Sequence, residues 1–237
     1  MITQARPALN PNSIFPLQRQ TNLVSAARRI GVRHKNGAPG SYLGAVRLSY
    51  KPSVARYAER PHPEPMDPNR RRILKVGVVD FGLESVALPN GVNLDLPIIR
   101  HPGASAIVAL DERGAIAMLT QYRHAIGGWH REIPAGCRNG AESPLECAVR
   151  ELREETGLTA RRWDHLGAIV TIPSFCDERI ELFLARELSE AEARPEPDEI
   201  IRVARVDLYE ALAMVSQGEI VDAKTIAALH HTQELLK

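Results

Sequence analysis

Glu151, Glu154 and Glu155 stand at i, i+3 and i+4, with Glu142 and Glu146 shortly before them and Arg150 and Arg153 threaded between. On a helix, residues three and four apart share a face, and like charges placed there repel by some tenths of a kcal/mol per pair. A hard divalent cation removes that penalty, because Mg²⁺ takes oxygen ligands and favours one or two carboxylates plus substrate phosphate. Arg150 can bond Glu142 or a neighbouring glutamate and hold the array in register. On charge alone a solvated, salt-bridged helix face is the simpler reading.

The spacing favours the cation. Gly136, five residues, Glu142, seven residues, Arg150-Glu151-Leu152, one residue, Glu154-Glu155, one residue and Gly157-Leu158 specify nine positions over 23 residues. At every one of them the chain resembles the Nudix box. The resemblance implies a hydrolase of nucleoside diphosphates linked to another moiety, on an α/β fold: an α/β/α sandwich around a mixed β-sheet, with an N-terminal antiparallel strand region. It further implies Mg²⁺, with Mn²⁺ as the substitute, held by Glu151, Glu155 and the Ala135 carbonyl, with Glu154 completing the cluster or holding a second ion. Glu142 and Arg150 then support the loop–helix geometry.

Similarity to the family extends over roughly residues 73–230. "QYRHAIGGWHREIPAG" before the box, Pro173 about fifteen residues after it and the ending "GEIVDAKTIAAL" resemble the ADP-ribose (ADP-sugar) pyrophosphatase branch. His130 and Arg131 before Glu132, and Cys176 after Pro173, depart from the branch pattern. The branch implies substrate contacts from Arg123, Trp129 and Glu132, with Trp129 either stacking on adenine or packing the domain edge. It also implies a general base in a downstream acidic loop. "RPEPDE" is the loop that fits, with Glu199 as first choice and Asp198 and Glu196 in reserve. The implied reaction is hydrolysis of ADP-ribose, or a related ADP-sugar, to AMP and a sugar phosphate. The alternatives are another linked nucleoside diphosphate (GDP-mannose, NADH, a flavin dinucleotide) or a sensor that binds nucleotides without cleaving them.

These residues need elements to hold them. Ser143 and Glu146 form a capping box, Pro144 suits a first turn, and Gly157 suits a helix end. A helix over 143–156 follows, with Leu145, Ala148, Val149 and Leu152 as the stripe facing a sheet. "ILKVGVVDF", "ESVAL", "LDLPIIRH", "HLGAIVTI", "RIELFLARE" and "IIRVARV" read as strands. "SAIVAL" and "AIAMLTQYR", joined by the turn "DERG", read as a hairpin, and two helical patterns close the chain at 207–217 and 222–236. His101, His124 and His130 show no ligand spacing and read as structural.

Charge divides the chain. Residues 1–65 are net +8 and residues 66–237 net −7. The first 72 residues lack an apolar period and are rich in Pro, Gly, Asn and Arg, so they read as a disordered basic extension, with a short helix near 21–30 and Met66 as a plausible true start. Its bases are scattered without interleaved aromatics, which argues against nucleic acid as a partner. The three cysteines show neither disulfide nor zinc spacing and favour a reducing, cytoplasmic setting. No apolar run is long enough for a membrane span. The family resemblance implies a homodimer in which strands at 73–100 pack against the partner subunit.

Overall fold

The computed structural model describes residues 69–194 and 199–237. The expected disordered extension up to residue 68, its short helix, and two reserve bases, Asp198 and Glu196, lie outside the described residues. The first strand, β1 (Arg70–Val76), starts three residues before the boundary expected at 73. "RRR" has no apolar period, and ion pairs hold it instead: Arg70 meets Asp80 at 2.8 Å and Glu84 at 3.1 Å, and Arg72 meets Asp80 at 2.9 Å. With β2 (Val79–Ala87) and β3 (Asn93–Arg100), β1 forms a three-stranded antiparallel sheet.

The next strands are β4 (Ala104–Ala109), β5 (Ala115–Arg123), β6 (Gly128–Glu132) and β7 (Ala135–Cys137). Helix α1 (Pro144–Thr156) follows, then β8 (Leu158–Val170), β9 (Arg179–Glu190) and β10 (Ile201–Asp207). Helices α2 (Leu208–Ser216) and α3 (Ala223–Leu235) close the chain. Strand order β7-β4-β9-β8 makes a mixed sheet, parallel between β4 and β9 and antiparallel elsewhere. A second, antiparallel sheet runs β10-β5-β6.

Period-2 alternation along β4 and β9 divides the core between two faces. Ala106, Val108, Leu182 and Leu184 pack with Leu208, Ala211, Ala228 and Leu229 of α2 and α3. Ile107, Ala109, Phe183 and Ala185 pack with Ala148 and Leu152 of α1. Helices thus cover both sides of the mixed sheet, giving the α/β/α sandwich.

The structure corrects two expectations. The "DERG" turn forms, with Asp111 Oδ1 accepting from the amides of Arg113 and Ala115 at 2.9 Å each. The strands it joins share only the bridge Leu110–Ile116 and then enter different sheets. Both edges of β4 are taken, by β7 and β9, so β5 has no edge there to pair with. The second correction concerns α1. Its buried face is Cys147, Ala148, Glu151, Leu152 and Glu155, whereas Leu145 and Val149 are 42% and 43% exposed. The helix has turned its carboxylates inward, and residues 145 and 149, one turn apart, rotate to the solvent side. Strands β6 and β7 were not anticipated, since neither carries an apolar alternation of useful length.

The two sides of α1 should respond differently to truncation. Leu152→Ala is expected to cost about 2–5 kcal/mol, as for a fully buried leucine, and Val149→Ala about 0.5 kcal/mol or less, as for surface changes. Denaturant unfolding of the two variants measures the contrast, and equal losses would contradict the orientation of the helix.

Candidate active site

Helix α1 is fixed at both ends by its own sequence. Ser143 Oγ accepts from the Glu146 amide at 3.3 Å, and Glu146 Oε2 accepts from the Ser143 amide at 2.7 Å. Gly157 ends the helix at φ +67, in the left-handed region that glycine tolerates. Between these ends, β7 runs beside the helix and the two meet through the glutamates. Ala135 N–H donates to Glu155 Oε2 at 2.8 Å. A Cβ on Gly136 would lie 2.0 Å from Glu151 Oε1, so only glycine leaves room for that carboxylate.

Arg150 organises the rim. It donates Nε and Nη2 to the two oxygens of Glu142, each at 2.9 Å, and Nη2 also to the Cys137 carbonyl at 2.9 Å. Its Nη1 donates to Glu151 Oε1 at 2.6 Å and to Glu154 Oε2 at 3.0 Å. Glu142 in turn accepts from the Asn139 amide at 3.0 Å, which closes the 137–142 loop onto the helix. One planar guanidinium thus joins a strand, a loop and three helix or loop carboxylates, geometry that a point-charge ammonium could not supply.

The buried pair carries an electrostatic load. Burial pushes the Glu151 carboxyl up to about 7, against the lowering effect of Arg150, and the charges of Glu154 and Glu199 add to the rise. Burial likewise pushes Glu155 up to about 8, against the Ala135 N–H bond, with Glu151 and Glu199 adding their repulsion. Glu199 therefore lies within electrostatic reach of both, brought there from the far side of the chain. Among the described residues no three His, Cys, Asp or Glu side chains converge into a closed cage. The donor set is open: two buried carboxylates, each engaging one oxygen with a protein donor, beside the backbone of Ala135. That chemistry fits a hard cation that keeps several water or phosphate oxygens.

Beside this pair, Arg123 donates Nε and Nη2 to Glu132 at 2.9 and 2.8 Å. Burial would raise the Glu132 carboxyl, but the Arg123 bonds and Lys224 outweigh it and hold the group at about 2. Lys224 was missed in the sequence, where "GEIVDAK" registered only as a family resemblance. Its signal was the helix start at Asp222, whose carboxylate accepts from the Thr225 amide at 3.0 Å. Trp129 does not join the set. It pairs with Tyr122 in register and so alternates with Glu132 to the other face of β6, where Arg202 lies 4.8 Å over its ring. His101 Nε2 lies 3.6 Å from Cys137 Sγ and 3.5 Å from Glu178 Oε1.

The family model of the NUDIX domain matches residues 99–229. The chain belongs to the Nudix family. It is 40% identical over 166 residues to the ADP-ribose pyrophosphatase of Bacillus subtilis (strain 168), covering 69% of this chain and 90% of that one. It is 38% identical over 158 residues to the methanol dehydrogenase activator of Bacillus methanolicus, covering 66% of this chain and 85% of that one. A solved ADP compounds hydrolase shares the fold at a TM-score of 0.62 and 19% identity, over 71% of this chain and 92% of that one.

Two outcomes follow for this Nudix site. The folded protein retains protons on Glu151 and Glu155 that an unfolded chain, with carboxyls near 4.5, releases. In EDTA these groups should therefore lower stability as pH rises from about 4.5 to about 8. Glu132 behaves oppositely, contributing stability above about 4.5 that is lost as pH falls toward about 2. Melting temperature in EDTA, relative to a Glu155→Gln variant, should fall from pH 5 to 8, and a divalent cation should restore it at pH 8. A melting temperature indifferent to the cation would count against the site. Gly136→Ala should displace the Glu151 carboxylate and weaken Mn²⁺ binding by about 10–100-fold, read by titration in the absence of substrate, with far-ultraviolet dichroism unchanged.

Proposed function

We propose that this Nudix pyrophosphohydrolase cleaves the diphosphate bond of ADP-ribose, or of a related ADP-sugar, to AMP and a sugar phosphate. The observation that carries the reading is the placement of the whole box: Glu151 and Glu155 lie buried against Ala135–Gly136, inside a chain that is similar over about two thirds of its length to a bacterial ADP-ribose pyrophosphatase. Glu151, Glu155 and the Ala135 carbonyl would hold Mg²⁺, or Mn²⁺ in its place, with Glu154 at the more exposed rim. When bound, the cation neutralises diphosphate oxygens and makes a water more acidic. Arg150 keeps the glutamates aimed. Arg123, supported by Glu132, binds phosphate oxygen. Water attacks one phosphorus, the bridging P–O bond breaks, and Glu199 takes the proton the water loses. The acids of α1 would serve the proton transfer poorly, since they would give their lone pairs to the cation. Trp129 is left out of the substrate set because it projects from the opposite face of β6.

The same reading places the enzyme in a homodimer and in the cytoplasm. Ile73, Leu74, Val76, Val79 and Leu94 leave apolar surface exposed on β1–β3, which a second copy would cover. Three free thiols suit a reducing compartment.

A panel of nucleotide sugars, assayed with Mg²⁺ and then Mn²⁺, tests the function. AMP should appear from ADP-ribose, Glu155→Gln should abolish it with the fold intact, and Glu199→Gln should lower kcat by roughly 10²–10⁴-fold with little change in KM. No AMP from ADP-ribose would refute the reading. Loss of kcat in Asp198→Asn or Glu196→Gln instead would move the base to that neighbour.

A further inference from the structure

The 132–135 segment is also gripped from α3, by contacts that the reaction scheme does not use. Lys224 places Nζ 2.5 Å from Glu132 Oε2 and 3.0 Å from Asp222 Oδ1, and its side chain is only 12% exposed. Lysine is almost never buried without a partner, and here it has two. Asp222 Oδ2 accepts from Thr225 Oγ1 at 2.6 Å, and Thr225 Oγ1 accepts from the Ile133 amide at 2.9 Å. The first turn of α3 therefore touches the segment twice, at Glu132 and at Ile133.

The charges alternate along a chain: Arg123, Glu132, Lys224, Asp222. Glu132 Oε2 receives both Arg123 Nη2 and Lys224 Nζ. A carboxylate shared by two cations neutralises each only in part. Arg123 is 40% exposed while Glu132 is 4% exposed, so the guanidinium is the member of the pair that can meet a ligand. A planar guanidinium held at two points on a buried carboxylate has its remaining donors fixed in direction.

We propose that Lys224 is a positioning residue of the diphosphate site: by sharing Glu132 with Arg123, it fixes the guanidinium that meets substrate phosphate and leaves its positive charge available there. Lys224 does not touch the substrate. The inference rests on the functional reading above only in taking Arg123 as the phosphate contact.

A double-mutant cycle on the full chain, reading ADP binding by calorimetry in Mg²⁺, tests it. Lys224→Met should weaken ADP about tenfold, the scale of one charge-assisted hydrogen bond, and Lys224→Arg should recover most of the loss. Arg123→Met should weaken ADP at least as much. The double variant should bind no worse than Arg123→Met alone, because Lys224 acts only through that residue. Multiplying losses, or unchanged affinity in a folded Lys224→Met variant, would overturn the proposal. If dichroism shows Lys224→Met unfolded, the charge-balanced pair Glu132→Gln with Lys224→Met is compared with Glu132→Gln alone. Equal ADP affinities are then expected, and a further loss overturns it. Wild-type protein that binds ADP yet releases no AMP from ADP-ribose would refute the substrate reading and leave the cycle to decide this one.

Discussion

Two carboxylates buried against a strand backbone set the terms for the rest of this structure. Glu151 and Glu155 face the sheet from α1, where leucine would pack more cheaply, and their carboxyls are driven up to about 7 and about 8. Burying an ionised group without a partner is costly. The protein offsets part of that cost with Arg150 and with the Ala135 N–H, and a bound cation would offset the remainder. The short strand β7 exists in this setting as a floor: Gly136 leaves a space that Glu151 occupies, and Ala135 supplies a donor to Glu155.

Such a load requires a rigid support. Helix α1 is capped by Ser143 and Glu146 at one end and closed by Gly157 at the other. The chain returning after β9 reinforces that second end, where Ala191 N–H donates to the Gly157 carbonyl at 2.7 Å and Arg194 N–H to the Glu154 carbonyl at 2.9 Å. On the opposite side of the sheet, α3 holds the 132–135 segment through Lys224 and Thr225. The site is thus clamped from both helical layers of the sandwich.

The chemistry of this chain is written locally in its residues, whereas its packing is not. The box spacing, the capping signals and the alternating strands were legible because each is local: one helical turn, one cap, or one strand's period. Leu145 and Val149 read as core on apolar type alone, yet both are exposed. The helix instead obeyed the constraint of pointing Glu151 and Glu155 at β7, and a rotation that buries those two exposes the others. The hairpin expected at Asp111–Gly114 had the right turn and the wrong partners, because pairing depends on which strand edges remain open after β7 and β9 have docked on β4.

By itself the sequence determined that a cluster of glutamates would share one helix face, that a hard cation and a diphosphate suit it, and that the family is Nudix. These follow from residue type and short-range spacing, which survive without knowledge of the fold. The tertiary structure decided which oxygens face β7, that Glu199 comes within electrostatic reach of α1, that Trp129 turns away from Glu132, and that Lys224 joins Arg123 through a shared carboxylate. Glu132 and Lys224 lie 92 positions apart. No local pattern relates residues at that distance; only the docking of α3 against the strands brings them into contact.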